Sequence, residues 1–179
     1  MARAIITSFA RFQELDRASP FYGRLPNIVK PGSTDYHTTD GTPRWVIALR
    51  DYVRYTGDRS AVAALYPNVR ASIEGSFARH TDSAGYLVHA DNETWMDARR
   101  EPDKASYSPR STRANDIQAL WHDQLRAGAE FAAMTGDTAA AARWTRAADR
   151  LQARFARDFV DAATGRAAHS EALPRASAR

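Results

Sequence analysis

The residues best suited to chemistry lie in one polar stretch midway along the chain, Glu93-Thr94-Trp95-Met96-Asp97-Ala98. An aromatic face can stack on a sugar ring, and a carboxylic acid can protonate a glycosidic oxygen as that oxygen leaves. Trp95 and Asp97 supply both groups within three positions. A solvated loop carboxylate is the ordinary alternative for Asp97, so the weight of this pattern depends on the rest of the chain.

More carboxylates and indoles lie in or beside the two long polar segments of the chain. Asp40 lies near the end of the first segment, and Asp116 follows the second. Both positions also suit an ordinary acid at a helix N-terminus. Trp45 and Trp121 lie on the helices that follow, where an indole either lines a site or packs in the core. For Trp144 we predict core packing.

Several other chemistries lack the motifs that they require. The sequence has no Walker loop, no GxGxxG and no GxSxG, so phosphoryl transfer, dinucleotide binding and a hydrolase elbow are unsupported. The absence of cysteine excludes disulfides, thiolate metal sites and a cysteine nucleophile. We therefore predict no cofactor and no metal, since none of the histidines has metal-ligand spacing: His37, His80, His89, His122 and His169.

The composition is that of one globular domain, with 179 residues, 44% apolar and 26% charged. No segment is apolar enough to span a membrane, and the N-terminus lacks the apolar core of a signal peptide. We therefore predict a cytoplasmic protein without a membrane partner. The net charge is +4, but the basic residues are scattered among 21 acidic ones, which argues against a nucleic-acid partner.

Apolar residues recur at helical spacing, which predicts an all-α chain. Thr42 and Asn115 are suited to cap helices, and Pro67 is expected to end one helix and begin another. Polar segments at 16–42 and 81–114 are too long for ordinary connections, which typically have about 4–6 residues. The predicted helices cover residues 3–14, 42–57, 58–65, 67–77, 115–136 and 137–159.

One tripeptide occurs twice. Thr56-Gly57-Asp58 and Thr135-Gly136-Asp137 are identical and 79 positions apart. Each separates a Trp-containing helix from a longer helix, and each Trp-containing helix follows a long polar segment. This pattern predicts a repeated helical hairpin whose long loops emerge at one end, where they could build a site.

In several ordered motifs the chain resembles the catalytic domain of glycogen debranching enzymes of the amylo-α-1,6-glucosidase type. The first resembling stretches are 35–45, which contains Thr38-Thr39-Asp40-Gly41, and 51–58. The motifs that follow are Ser72-Ile73-Glu74-Gly75, Glu93-Thr94-Trp95-Met96-Asp97-Ala98, Ser108-Pro109-Arg110 and Asp116-Ile117-Gln118-Ala119-Leu120-Trp121.

The resemblance implies an (α/α)6 toroid and an inverting α-1,6-glucosidase acting on an α-glucan, with two carboxylates about 6.5–9.5 Å apart. It places Asp97 at the general acid. It implies that residues 1–160 are about half of a toroid, that 161–179 form an irregular tail, and that the general base lies in the other half. The chain would then be a fragment. The residues that it places at the substrate are Asp40, Trp45, Glu93, Trp95, Arg110, Asp116 and Trp121.

The family commonly has Glu at the position of Asp116, so the carboxyl group here is one methylene shorter. Two alternatives stay open. One is another toroid glycosidase of the glucoamylase or trehalase kind, and the other is a glycan-binding helical scaffold without catalysis. In a half-toroid, helix faces that normally meet other helices would be exposed, which predicts self-association.

Overall fold

The computed structural model of the protein describes residues 1–168. This part of the chain is mostly helical, as the all-α prediction requires, with one short antiparallel strand pair in the first long loop. The helices are α1 (Ala2–Ala10), α2 (Gly41–Thr56), α3 (Arg59–Gly75), α4 (Asn115–Met134) and α5 (Thr138–Phe159). The strands are β1 (Ile28–Lys30) and β2 (Ser33–Asp35), and a π-helical turn at Ser76–His80 follows α3.

The repeated tripeptide makes the same turn twice. Gly57 and Gly136 both adopt the left-handed backbone conformation, with φ of 71° and 82°, which glycine adopts without steric cost. The next residue then caps the following helix: Asp58 accepts the N–H of Ala61, and Asp137 accepts that of Ala140, each at 3.1 Å. The chain therefore contains two helical hairpins, α2–α3 and α4–α5.

The two hairpins pack side by side in the same direction. Arg50 on α2 donates to Asp123 on α4 at 2.9 Å, and Arg54 one turn later donates to Glu130 at 2.6 Å. Because the partners advance together along both helices, α2 and α4 are parallel. The long segments that precede them therefore enter at the same end of the structure.

Helix α4 lies at the centre and packs against α2, α3 and α5. Trp144 is fully buried, as predicted. At Gly128 a Cβ atom would lie 2.2 Å from Ile73 Cδ1 and 3.1 Å from the Trp144 ring. A side chain at this position of α4 would therefore require the packed side chains of Ile73 and Trp144 to move.

Three predicted helix boundaries were wrong. Helix α1 ends at Ala10 rather than near residue 14. Thr42 lies inside α2, and its hydroxyl accepts the N–H of Leu25 at 2.8 Å instead of capping the helix. Asn115 is the first residue of α4, and Ala114 precedes it.

The predicted break at Pro67 was also wrong, because α3 continues through this residue. Proline in a helix interior loses one hydrogen bond and typically costs about 3 kcal/mol. The side chains of Leu65, Val69 and Ile73 nevertheless stay on one buried stripe across Pro67. Burial of that stripe offsets the local cost.

The expected irregular tail is only partly described. Residues 161–168 form a turn in which Asp161 N–H donates to the Arg166 carbonyl at 2.9 Å, with an isolated bridge between Val160 and Ala167. The rest of the predicted tail, 169–179 with His169, lies outside the described residues. In the described range, every helix is too short or too polar to cross a membrane.

Candidate functional site

The two long loops meet above the N-terminal ends of α2 and α4. The N–H of Thr39 in the first loop donates to the Glu93 carbonyl in the second at 2.7 Å. The His37 ring also contacts the Asn92 carbonyl, with Nε2 at 3.0 Å. The stretch that carries Trp95 and Asp97 is therefore anchored on the first loop immediately before those residues.

Arg24 is a buried charged residue that contacts both loops where they meet. Its side chain is only 7% exposed, and it donates to the Tyr36 carbonyl at 3.0 Å and to Thr39 Oγ1 at 3.3 Å. Its guanidinium also lies 3.7 Å from the Glu93 carboxylate. Burial lowers the pKa of Arg24, and the Glu93 charge opposes that shift. The pair therefore holds the two loops together across a partly desolvated contact.

Beside this pair lies a cleft of about 540 Å³, which we call the Arg24 cleft. Both loops and the π-helical turn after α3 contribute to it. Its walls include Phe21, Arg24, Arg79, His80, His89 and Glu93.

His89 is a buried residue of this cleft whose two ring nitrogens both form hydrogen bonds. Its Nδ1 lies 2.7 Å from the Ala90 carbonyl, which can only accept, so Nδ1 carries the proton. Its Nε2 accepts the N–H of Ala114 at 2.9 Å, directly before α4. Burial lowers the pKa of His89. The ring therefore ties the second loop to the start of α4.

The His80 ring lies beside the same cleft and has one buried nitrogen without a hydrogen-bond partner in the described structure. Its Nδ1 lies 3.4 Å from Arg24 Nη2, and because arginine can only donate, Nδ1 must accept and Nε2 must carry the proton. Within residues 1–168 this buried Nε2 has no hydrogen-bond partner. Burial lowers the pKa of His80 to about 4, assisted by the charges of Arg24 and Arg79. At neutral pH the ring is therefore uncharged.

Three of the predicted substrate residues form a second cluster. Arg110 lies over the Trp95 ring, 5.9 Å from its centroid, and also donates to the Asp116 carboxylate at 2.5 Å. Asp116 is in the first turn of α4, where the helix dipole favours an acid. Trp95 is 60% exposed. Arg110 therefore positions an indole with open surface next to a helix N-terminus.

Asp97 is exposed at the edge of the same loop. In the described part of the chain, its carboxylate has no hydrogen-bond or ion-pair partner. The segment after it folds back on itself, since the Tyr107 N–H donates to the Ala98 carbonyl at 3.2 Å. Its carboxyl group is thus available to a ligand without first breaking a protein contact.

Asp40 lies directly after the loop contact made by Thr39. It precedes the first residue of α2, and its carboxylate pairs with Arg44 at 3.2 Å. Its side chain makes no capping hydrogen bond. The structure places Asp40 at the loop junction, where it pairs with a side chain of its own helix.

Two predicted substrate residues pack in the core instead. The Trp45 ring is buried, and its Nε1 donates to the Ile6 carbonyl at 2.9 Å. Trp121 is completely buried against Phe77, and its Nε1 donates to the Gly85 carbonyl at 3.2 Å. Neither indole has a free face, so the structure favours core packing for both.

No sequence motif pointed to Arg24, His80 or His89 as site residues. Arg24 and His80 are 56 positions apart and meet only after folding, so no local spacing pointed to them. Two glycines enable the approach: a Cβ on Gly23 would lie 2.3 Å from the Ala71 carbonyl, and one on Gly75 would lie 1.9 Å from the Tyr22 carbonyl. These two glycines were the available sequence signal for the contact: Gly23 directly precedes Arg24, and Gly75 ends the motif Ser72-Ile73-Glu74-Gly75.

The described residues contain no group of three or more histidine and carboxylate side chains that could hold a metal ion. The loop junction offers carboxylate, imidazole and guanidinium groups that can form hydrogen bonds and ion pairs. This chemistry suits binding of a hydroxyl-rich ligand and proton transfer by a carboxyl group.

Comparison with known proteins gives the family. Residues 1–174 match the family model described as amylo-alpha-1,6-glucosidase. Among solved structures, the chain is similar to a GH78 family rhamnosidase of Bacillus sp. GL1, with 20% identity and a TM-score of 0.64. That match covers 90% of this chain and 16% of the rhamnosidase, and at this identity it shows a shared fold. No curated protein matches the sequence.

The family match covers nearly the whole chain, and the structural neighbour is a glycosidase with the same local fold. Of the motifs on which the resemblance rested, 35–45, Glu93-Thr94-Trp95-Met96-Asp97-Ala98 and Ser108-Pro109-Arg110 lie in or beside the two loops that meet, whereas 51–58 lies at the opposite, C-terminal end of α2. The chain belongs to the amylo-α-1,6-glucosidase family and is related to glycoside hydrolases.

Proposed function

We propose that this chain provides the acid side of an α-1,6-glucosidase site that acts on a branched α-glucan. The observation that carries this proposal is an exposed indole, Trp95, close in sequence to Asp97, whose carboxyl group has no partner among residues 1–168. Arg110 and Glu93 hold the loop that carries both. An open aromatic face next to an acid suits a pyranose and its glycosidic oxygen.

In this proposal Asp97 gives its proton to the glycosidic oxygen as the bond from that oxygen to the anomeric carbon breaks. A second carboxylate removes a proton from water on the opposite face, and the water oxygen bonds to the anomeric carbon, with inversion. Arg110 holds Trp95 and Asp116 in place. The proposal assigns the acid and leaves the base unassigned.

The proposed architecture is about half of an (α/α)6 toroid over residues 1–160. The parallel register of α2 and α4, given by the Arg50–Asp123 and Arg54–Glu130 pairs, supports it. In such an arrangement each hairpin adds its preceding loop to one rim, and the rim carries the site. The cytoplasmic location also remains a proposal.

The test is product release by the full chain from a branched limit dextrin, with and without sodium azide. Azide attacks the anomeric carbon without needing a base, so the assay detects the acid step by itself. We expect glucose or glucosyl azide from the unaltered chain and a loss of about 100-fold or more in Asp97→Asn, as for removal of a general acid.

Asp103→Asn is the matched control, since Asp103 is an exposed acid of the same segment that pairs with Arg100 and accepts the backbone N–H of Ala105. It should keep the activity of the unaltered chain. Full activity in Asp97→Asn would contradict the assignment of the acid. A parallel panel with maltose and trehalose separates the glucoamylase-like and trehalase-like alternatives.

The exposed Trp95 also supports a second candidate, a glycan-binding module without catalysis, because stacking alone needs no acid. Trp95 is the one exposed indole of four, so quenching of intrinsic fluorescence by a sugar reports on this residue. Quenching that is equal in Asp97→Asn, with no product from either protein, would favour binding alone.

A further inference from the structure

Helix α5 presents a row of arginines on one side. Its sequence contains five arginines and two aspartates, so this helix carries a net charge of +3 out of +4 for the whole chain. With about 3.6 residues per turn, the five arginines fall within an arc of about 80° and along about 21 Å of the helix. Trp144 and Ala148 face the core from another side. We call these residues the α5 arginine row: Arg143, Arg146, Arg150, Arg154 and Arg157.

The middle of the row carries positive charge that no carboxylate of residues 1–168 neutralises. The two end residues are paired, Arg143 with Glu74 of α3 and Arg157 with the neighbouring Asp158. The three arginines between them form neither a hydrogen bond nor an ion pair in that range. Guanidinium groups stay charged at all ordinary pH values, and these lie about one helical turn apart. The row therefore attracts anionic groups.

The protein joins its own helices by pairs of arginine and carboxylate. Within residues 1–168 such pairs include Arg50–Asp123, Arg54–Glu130, Arg126–Asp149 and Arg143–Glu74. Between α2 and α4 the two arginines are four positions apart and the two acids are seven apart, so both partners repeat along a helix axis. The surface that matches a straight row of arginines on one helix is thus a row of carboxylates on another.

The geometry of the row favours a helix over other anions. The phosphates of a duplex strand advance about 3.4 Å along the axis and wind around it, so a straight row meets them only where a strand crosses it. The aromatic residues of α5 lie outside the row, which leaves no ring there for an unpaired base to stack on. A second copy of the chain offers no suitable helix, because the acids of α4 are already paired with arginines: Asp116, Asp123 and Glu130.

We propose that the α5 arginine row docks an acidic helix of a partner protein, whose aspartates or glutamates recur at spacings of three and four residues along one side. A planar guanidinium binds a carboxylate through two parallel N–H bonds. Each exposed ion pair contributes little, so the specificity comes from the register: a matching row engages several arginines together, and the same charge in another arrangement engages fewer. The α5 row lines no part of the Arg24 cleft, and the inference does not rest on the proposed function.

The experiment measures binding of two labelled alanine-based peptides to the full chain by fluorescence anisotropy at low salt. Both peptides have the same glutamate content, but one carries the glutamates on one side of the helix at the spacing of the row, and the other distributes them around the helix. The row variant combines Arg146→Gln, Arg150→Gln and Arg154→Gln. The control variant changes three other exposed arginines to glutamine, whose side chains likewise form no ion pair within residues 1–168: Arg11, Arg59 and Arg166.

We expect the unaltered chain and the control variant to bind the one-sided peptide about tenfold more tightly than the distributed peptide, because several weak ion pairs act together. The row variant should lose this preference and unfold at the same temperature as the unaltered chain, since it gives up no contact within residues 1–168. Equal binding of the two peptides, no binding, or a preference that survives in the row variant would overturn the proposal. An equal loss in the control variant would also overturn it, because net charge alone would then explain the binding.

A DNA duplex of about 20 base pairs is the third probe, which separates a nucleic-acid surface from a helix-docking surface. We expect it to bind the unaltered chain more weakly than the one-sided peptide does. Tighter binding of the duplex, lost in the row variant, would overturn the helix partner and assign the row to nucleic acid.

Discussion

At the scale of single residues, Arg24 determines how the two loops meet. It contacts backbone or side-chain atoms of Tyr36, Thr39 and His80, and it pairs with Glu93. Those contacts fix the conformation of the loop that carries Trp95. A guanidinium suits this position because it offers five donors in a rigid plane and stays charged when buried.

His80 gives the first prediction, a pH dependence of stability. Its folded pKa of about 4 is below the ordinary value of 6.5. The unfolded chain therefore takes up a proton between these pH values that the folded chain does not. We expect the free energy of unfolding, measured with urea, to fall as the pH is lowered from 6.5 to 4.

The comparison protein for this titration is His80→Asn, which cannot be protonated in that range. Its stability should fall less steeply with decreasing pH, although His89 and His122 also have pKa values lowered by burial and leave some dependence. Identical slopes for the two proteins would rule out His80 as a source of the effect.

The residue types at the site could be predicted from the sequence, but the exposure of each indole could not. Trp45, Trp95 and Trp121 all lie in family motifs, and only Trp95 is exposed. The other two donate their ring N–H to the carbonyls of Ile6 and Gly85, so each buried indole keeps a hydrogen bond. Those partners lie 39 and 36 positions away, beyond any local pattern.

At the scale of elements, the end of α3 packs directly on the first loop, and glycine makes this contact feasible. A Cβ on Gly75 would lie 1.9 Å from the Tyr22 carbonyl oxygen, a backbone atom that cannot rotate away. We therefore predict that Gly75→Ala lowers the free energy of unfolding by about 1–3 kcal/mol, the usual cost of overpacking. The same change should weaken sugar binding, because Arg24 follows the displaced segment.

Gly41→Ala is the control for this prediction. Gly41 is also in a helix, but its added Cβ would meet only Thr38 Oγ1, at an ordinary 3.7 Å. Alanine in a helix is intrinsically favoured over glycine by about 1 kcal/mol, so Gly41→Ala should be neutral or stabilising. Equal effects of the two substitutions in urea unfolding would contradict the close contact at Gly75.

The sequence predicted a helix boundary correctly where the residues at that boundary determine it by their own backbone conformation and capping. In both hairpins a glycine, Gly57 or Gly136, ends one helix in the left-handed conformation, and the next aspartate caps the following helix. Both roles are typical of these residue types and can be predicted from the sequence. Pro67 was misjudged because tertiary burial outweighed its local preference. The short pairing of β1 and β2 was missed because exposed three-residue strands leave no alternating pattern.

At the scale of the whole molecule, two ion pairs and a tyrosine hydrogen bond link the two hairpins. Arg50–Asp123 and Arg54–Glu130 join α2 to α4, and Tyr66 of α3 donates to Asp137 at the start of α5 at 2.8 Å. The repeat in the sequence predicted two similar hairpins but not their register. The register appears only in contacts between residues 71 to 76 positions apart, which no local pattern contains.

The exposed apolar surface around α1 predicts that the chain associates with itself. Four large apolar side chains of α1 and the turn after it are between 45% and 53% exposed: Ile5, Phe9, Phe12 and Leu15. Ile5 and Phe9 also line an adjoining groove of about 350 Å³. Contiguous apolar surface of this kind is typical of interaction sites, because burying it removes apolar area from water.

We expect sedimentation velocity to show a concentration-dependent shift from monomer to larger species. Phe9→Ser should weaken this association by about tenfold or more, since burial of a phenylalanine contributes roughly 1.5–3 kcal/mol. Tyr55→Ser is the matched control, because Tyr55 is 93% exposed at the end of α2, does not line the groove beside Ile5 and Phe9, and isolated exposed aromatics need no partner. A single monomeric species at every concentration would show that this apolar surface remains in contact with water.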